Sequence, residues 1–333
     1  MSPKSPRNKA DAPLATRLCR ALALFAPAVA ATTCTPFKDD APAGDAGTPF
    51  ANLSPGPPCD PSRPFVATTP VPGLSTDVGT TVDGLRLSPD SRTAYFHSNR
   101  SGGLGNDDIY SASRATPGAS FGDVTPIPGS GINTPADEVY PSVRGDGLDL
   151  VFARGTGAAD PIVIYRAIRG TGYVSFTGLK SVPQVSSLNV KYETFPFLRE
   201  DGRVLYFSAE GQDIYQLALN SPSSDASTPA PAPVNELNTK FSEVAPVVTP
   251  DDLTMYYGSD RADGLGDYDV WKATRASTSD PFGPPTNVTE VNSPSLEWPT
   301  FVTRDGCTLY FSSNRDGYLL PYVATRQRMA VSD

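Results

Sequence analysis

Chemistry in this chain has few reagents to draw on. Its 333 residues hold one histidine, His97, and four cysteines, Cys19, Cys34, Cys59 and Cys307. A serine hydrolase would need His97 as its base. Residues 118–122 read Gly-x-Ser-x-Gly around Ser120, yet no strand-to-helix turn is predicted there to expose the hydroxyl. We take that match as a product of a chain rich in Gly and Ser, and His97 as a strand residue near the surface. Asp260, Asp263, Asp267 and Asp269 cluster around two glycines, and calcium prefers such oxygen ligands. Their spacing departs from the EF-hand loop, and the matching places near residue 100 hold Asn99, Gly102, Asn106 and Asp108. Asp and Asn at such positions tie a loop to its own backbone. We expect no metal, with calcium on those four aspartates as the alternative.

Glu138, Glu193, Glu243 and Glu297 each lie eight residues ahead of a recurring aspartate, and Asp83 lies seven ahead of the first one. One reading is an acidic ring at a channel mouth, selecting cations or basic peptide segments. The other pairs each Glu with a repeated arginine (Arg100, Arg261, Arg315) or with backbone N–H groups. Repeated positions usually serve the repeat, which favours the second. Glycoside hydrolysis needs two carboxylates, and no pair stands out from the repeat pattern. We therefore expect no catalytic constellation and no cofactor.

The elements that carry these residues come from the repeat. Thirty-five prolines and 28 glycines argue against long helices. A hydrophobic content of 38% supplies a core and argues against wholesale disorder. A turn recurs at Asp90, Asp146, Asp201, Asp251 and Asp305, with separations of 56, 55, 50 and 54 residues. Five and six residues after each comes a β-forming pair: Tyr95-Phe96, Val151-Phe152, Tyr206-Phe207, Tyr256-Tyr257 and Tyr310-Phe311. An apolar segment precedes each turn, so every copy holds a hairpin. A third strand follows, in which an aromatic, an Ala and an Arg alternate on one face, as in Tyr110, Ala112 and Arg114. The third copy diverges to Leu217 and Leu219. A fourth strand comes after Phe121 and Phe282, and more weakly after Phe176 and Pro231. Four strands per unit of about 50 residues predict an all-β protein, a β-propeller of five four-stranded blades. A sixth blade would have to hide in residues 35–64, where no strand pair is visible.

The fifth unit stops at Arg326 with three strands. Residues 65–72 repeat the Phe-then-Pro-Val pattern of the fourth strands, so an N-terminal strand is expected to close the last blade. Covering that edge removes an aggregation hazard. Cys59 then lies beside the turn holding Cys307, and a disulfide would lock the closure; otherwise both are unpaired small core residues.

Residues 1–33 read as a secretory signal peptide: a basic start, an apolar run at 21–31 too short to span a bilayer, and small residues at its end. Cleavage after Ala30 would release the protein. Residues 31–34 resemble a bacterial lipobox that makes Cys34 the lipidated first residue, and losing Cys19 then leaves Cys59 and Cys307 as one pair. Residues 34–64 read as a Pro/Ala/Gly-rich tether, and 65–328 as the propeller. Removing 1–33 takes away five positive charges and one negative, so the net charge of −9 becomes −13. Such an exterior argues against nucleic acid as a partner.

Residues 87–110, with Pro89-Asp90, Tyr95-Phe96, Ser98-Asn99-Arg100 and Asp108-Ile109-Tyr110, resemble the WD-like Pro-Asp repeat of the TolB family, also found in periplasmic domains of OmpA-family proteins. Residues 256–271 and 310–315 are further matches, while the second and third copies lack the Ser-Asn-Arg. The resemblance covers residues 65–326 and implies an envelope scaffold that binds other envelope proteins. The expectation is a monomeric, non-enzymatic lipoprotein facing the periplasm or the cell surface, touching the membrane through its lipid alone. Its partner would be an envelope protein or a peptidoglycan-associated component docked on one face. The alternatives are a secreted protein and a carbohydrate-binding or carbohydrate-active five-bladed propeller.

Overall fold

A computed structural model describes residues 59–75, 78–156, 161–209, 212–219 and 229–329. The expected signal peptide, Cys34 and most of the tether lie outside the described residues. Description begins at Cys59, inside the stretch expected as tether, where Cys59 bridges to Arg328.

The first strand is β1 (Phe65–Pro70). Blade 1 holds β2 (Val82–Leu87), β3 (Thr93–Ser98), β4 (Asp108–Ser113) and β5 (Gly122–Pro126). Blade 2 holds β6 (Asp137–Val143), β7 (Asp149–Gly155), β8 (Val163–Ile168) and β9 (Thr177–Ser181). Blade 3 holds β10 (Glu193–Leu198), β11 (Val204–Ala209), β12 (Asp213–Ala218) and β13 (Ala232–Pro233). Blade 4 holds β14 (Glu243–Val248), β15 (Thr254–Ser259), β16 (Asp269–Thr274) and β17 (Thr286–Asn287). Blade 5 holds β18 (Glu297–Val302), β19 (Thr308–Ser313) and β20 (Leu320–Arg326), and takes β1 as its fourth strand. The five sheets each have four antiparallel strands, and the first strands of neighbouring blades pack together around an axis. The chain is a five-bladed β-propeller.

Closure follows the expected route. Phe65 pairs with Arg326 and Pro70 with Tyr322, and Cys59 is disulfide-bonded to Cys307 across 248 residues. The fourth strands of blades 3 and 4 shrink to two residues. Proline explains this, because Pro231, Pro233, Pro284 and Pro285 have no N–H to give a ladder.

Each innermost strand carries a bulge after its second or third residue. In four blades the first bulged residue sits in the left-handed region: Gly84, Tyr140, Phe195 and Ala245, at φ of +65°, +55°, +50° and +53°. A bulge re-aims side chains. Here it turns Tyr140 and Phe195 into the axis, where they stack at 4.0 Å between ring centres. In blade 5 Pro299 cannot take a positive φ; Thr300 is the extra residue, and Trp298 fills the axis instead, 5.4 Å from Phe195.

Candidate functional site

The glutamate end of the axis is built from the loops that lead into each inner strand. Glu138 accepts the Thr134 N–H at 2.8 Å and Arg154 Nε at 2.7 Å. Glu243 accepts the Thr239 N–H at 2.9 Å and faces Arg261 at 3.5 Å. Glu297 accepts the Ser293 N–H at 2.8 Å, Ser313 Oγ at 2.7 Å and Arg315 at 3.1 Å. All three are fully buried, so they anchor loops and do not line an open mouth.

Glu193 is the odd member. It is buried, it accepts the Ile164 N–H at 2.9 Å, and the third copy has no arginine like Arg261 to face it. Burial pushes its carboxyl up to about 7 against the pull of that one hydrogen bond. Elsewhere the corresponding N–H groups are held by asparagines: Ile109 by Asn133, Ile214 by Asn238 and Val270 by Asn292. Leu188 stands where the third copy would need its asparagine, so Glu193 takes over that bond. The recurrence Asn-(Thr/Ser)-x-x-x-Glu at 133, 238 and 292 is a sequence signal that the spacing of the glutamates alone did not expose.

Asp83 does not belong to this set. Strand register places Val82, not Asp83, opposite Ser98, as Glu297 is opposite Ser313. One residue further on, Asp83 points to the axis. Its Oδ1 accepts Trp298 Nε1 at 3.1 Å and the Ser312 hydroxyl, while its buried Oδ2 has no hydrogen-bond partner among the described residues and lies 3.9 Å from His97 Nε2. His97 is buried, not near the surface, and its Nδ1 accepts the Tyr140 N–H at 3.2 Å. Ser312 bonds the aspartate, not the histidine, so the three groups do not form a hydrolase relay. Tyr140, Phe195, Trp298 and Tyr268 pack beside them and fill this end of the axis.

The hairpin-turn end is different. There the ends of the inner strands line a cavity of about 50 Å³. Arg86 lines it together with Ser142, Phe197, Glu200, Phe301 and Arg304. Arg86 is 6% exposed and stacks on Phe197, its guanidinium carbon 4.9 Å from the ring centre. Among the described residues its Nε and Nη1 have no hydrogen-bond partner. Burial pulls this guanidinium down to about 9, with Asp83 opposing the shift. Across the mouth Glu200 of blade 3 pairs with Arg304 of blade 5, two blades that are not neighbours in the ring. Gly145 makes room for the bridge, because a Cβ there would come within 2.4 Å of Glu200 Cγ. The sequence held a signal for this site: Arg86 is charged where the other inner strands carry Ser142, Phe197, Val247 and Phe301.

The aspartate-rich loop resolves into loop anchoring. Asp269 accepts N–H groups from Leu265 and Gly266, and Asp260 accepts the Ser242 N–H at 2.8 Å. Asp263 and Asp267 are exposed, and among the described residues no group of three or more such side chains is placed to hold a metal. Asp108 anchors the equivalent loop of blade 1 through the N–H groups of Leu104 and Gly105. Among the described residues no helix is long and apolar enough to cross a membrane.

Among the described residues, a cavity lies at the turn end of the axis and an aromatic cluster packs at the other. No protein-family model matches the chain, and no curated protein matches it. Among solved structures it is similar to TolB from Acinetobacter baumannii, at 15% identity over 74% of this chain and 55% of that one, with a TM-score of 0.44. It is similar also to a putative TolB from Agrobacterium tumefaciens, at 15% identity over 70% and 69%, with a TM-score of 0.43. A third is the α-L-arabinofuranosidase PaAbf62A from Podospora anserina, at 11% identity over 78% and 96%, with a TM-score of 0.45. The chain spans just over half the length of the Acinetobacter protein. These likenesses concern the fold alone.

Proposed function

We propose that the protein is a non-enzymatic binding scaffold of the bacterial cell envelope, held at the membrane by a lipid on Cys34. Its partner is an envelope protein or a peptidoglycan-associated component, docked on the face where the loops between second and third strands emerge. One observation carries this reading. Two loops in equivalent places, 103–105 and 264–266, present Leu104 and Leu265 at 68% and 54% exposure.

The flanking glycines of both loops are dictated by packing. A Cβ on Gly103 or Gly264 would come within 2.1 or 2.3 Å of the anchoring carboxylate. On Gly105 or Gly266 it would meet a carbonyl oxygen at 2.0 or 1.7 Å. The leucines between them answer no such demand, since each side chain stands in solvent on a loop fixed by Asp108 or Asp269. Rigid, exposed apolar tips lower the ordering cost of association. A carbohydrate-active reading needs two convergent carboxylates, and the axial cavity has one in its lining, Glu200, already paired with Arg304.

The test places a photo-crosslinking residue at position 104 or 265 in living cells, with position 125 on the outer strand of blade 1 as control. A discrete adduct at 104 and 265, weakened when the other leucine becomes Asp, supports the reading. Adducts no different from those at 125 overturn it. Cys34→Ala is expected to move the protein from the membrane to the soluble fraction.

A further inference from the structure

We propose that the axial cavity at the turn face is a binding site for a small carboxylate, held by Arg86 beneath the Glu200–Arg304 bridge. Arg86 carries an unmatched charge. Arg86 is buried and lines the cavity, and among the described residues two of its three guanidinium nitrogens have no hydrogen-bond partner. Among the described residues it makes no ion pair; Asp83, the nearest acid in its own strand, spends Oδ1 on Trp298 and Ser312. A buried cation without an anion is costly, and an anionic ligand at its free nitrogens would offset that cost. The lowered proton affinity of Arg86 is the signature of that cost.

Size and shape narrow the ligand. A cavity of about 50 Å³ has room for a small anion beside the guanidinium. A planar guanidinium matches a planar carboxylate better than a spherical halide. Phe197 holds the guanidinium plane from one side, which fixes the direction of approach. Glu200 is the one carboxylate of the lining, and Arg304 keeps it at the mouth, where the pair stands over the cavity opening. The carboxylate is either free in solution or carried on an aspartate of a docked peptide. The two share this chemistry, and the site stands whether or not the opposite face binds a partner.

The experiment follows thermal unfolding and heats of binding of the propeller with sodium formate, sodium acetate, sodium benzoate and a capped Gly-Asp-Gly peptide. Ionic strength is held constant with sodium chloride. Formate and acetate are expected to give a saturable rise in Tm that sodium chloride at the same ionic strength does not, and benzoate reports how large a carboxylate the cavity takes. Arg86→Met keeps the side-chain volume and is expected to weaken the apparent affinity at least tenfold. A response to the free acids alone identifies a solute site; a matching response to the peptide identifies a partner's side chain. Equal responses in wild type and Arg86→Met, or none in either, overturn the proposal. Should Arg86→Met fail to fold, a bromoacetate soak of wild-type crystals decides. An anomalous peak beside Arg86 supports the site, and water alone at that place overturns it.

Discussion

The guanidinium carbon of Arg326 lies 3.7 Å from the centre of the Phe65 ring, the tightest of four equivalent contacts around the propeller. Arg114 covers Phe121 at 4.4 Å, Arg169 covers Phe176 at 4.6 Å, and Arg275 covers Phe282 at 4.3 Å. In each, an arginine at the end of the third strand or one residue beyond it clamps a phenylalanine that opens the fourth strand or leads into it. Phe65, from the other end of the chain, completes the set in blade 5.

Phe65→Ala should therefore act as a lesion in ring closure. It removes a buried aromatic and a cation–π contact, together about 3–5 kcal/mol. In urea the unfolding midpoint should fall without a change of slope. A loss of under about 1 kcal/mol would mean that the closing strand carries little of the stability.

The Cys59–Cys307 bond constrains the same closure from outside the sheet. A loop of 248 residues corresponds to about 5 kcal/mol in the chain-entropy description. Replacing both cysteines by Ser should lower Tm as reduction of the wild type does. Combined with Phe65→Ala the losses should not add, because both changes open one joint. Simple additivity would show that disulfide and strand act independently.

The same arginines also reach backwards. Arg114 meets the Tyr310 hydroxyl at 3.4 Å, Arg169 meets Tyr95 at 3.3 Å, and Arg326 meets Tyr256 at 3.2 Å, each a tyrosine of the preceding blade. Between blades 3 and 4, Asp252 gathers Tyr206, Arg199 and Arg275. The joint between blades 2 and 3 differs: Val151 and Leu219 replace the tyrosine and the arginine, and both lie in one apolar cluster. Leu219→Arg alone should bury an unpaired cation and cost about 3–5 kcal/mol. Adding Val151→Tyr should recover part of that loss. A double variant no better than the sum of the singles would remove the Tyr–Arg pairing as a rule of this ring.

These joints show what the sequence could and could not reveal. Repeats, turns and the closing strand were legible because they follow from local pattern at a fixed period. The divergence at Leu217 and Leu219 was visible, but not that Val151 diverges to match it, since that contact exists only after blades pack radially. Asp83 shows how a one-residue offset misleads: spacing grouped it with the glutamates, while strand alternation sends it to the opposite side. His97 had a readable clue. Its equivalents are Ala153, Ser208, Gly258 and Ser312, small residues that crowd towards the axis. In the second copy, Arg154 stands over Phe152 and Tyr165 as Arg315 stands over Phe311 and Tyr322. It arrives two residues earlier in the repeat, which made that copy look incomplete.

The third copy has no such arginine, and this gives the ring a titrating position. Glu193 is lifted to about 7 from an ordinary 4.5, chiefly by burial. An acid whose folded value is raised holds its proton in the folded state while the unfolded chain has already lost it. Stability from this group is therefore present below 4.5 and falls as pH rises towards 7. The shift is worth about 3 kcal/mol in full, and nearby solvent should reduce the observed change to about 2. Glu193→Gln keeps an acceptor for the Ile164 N–H and removes the charge, so it should match wild type near pH 4.5 and exceed it above pH 7. Glu297→Gln should do the reverse, weakening the fold throughout, because Ser293, Ser313 and Arg315 all bond that carboxylate. Chemical denaturation of the three proteins across this range is the measurement. A Glu193→Gln variant with the same pH slope as wild type would show that the buried carboxylate does not titrate there.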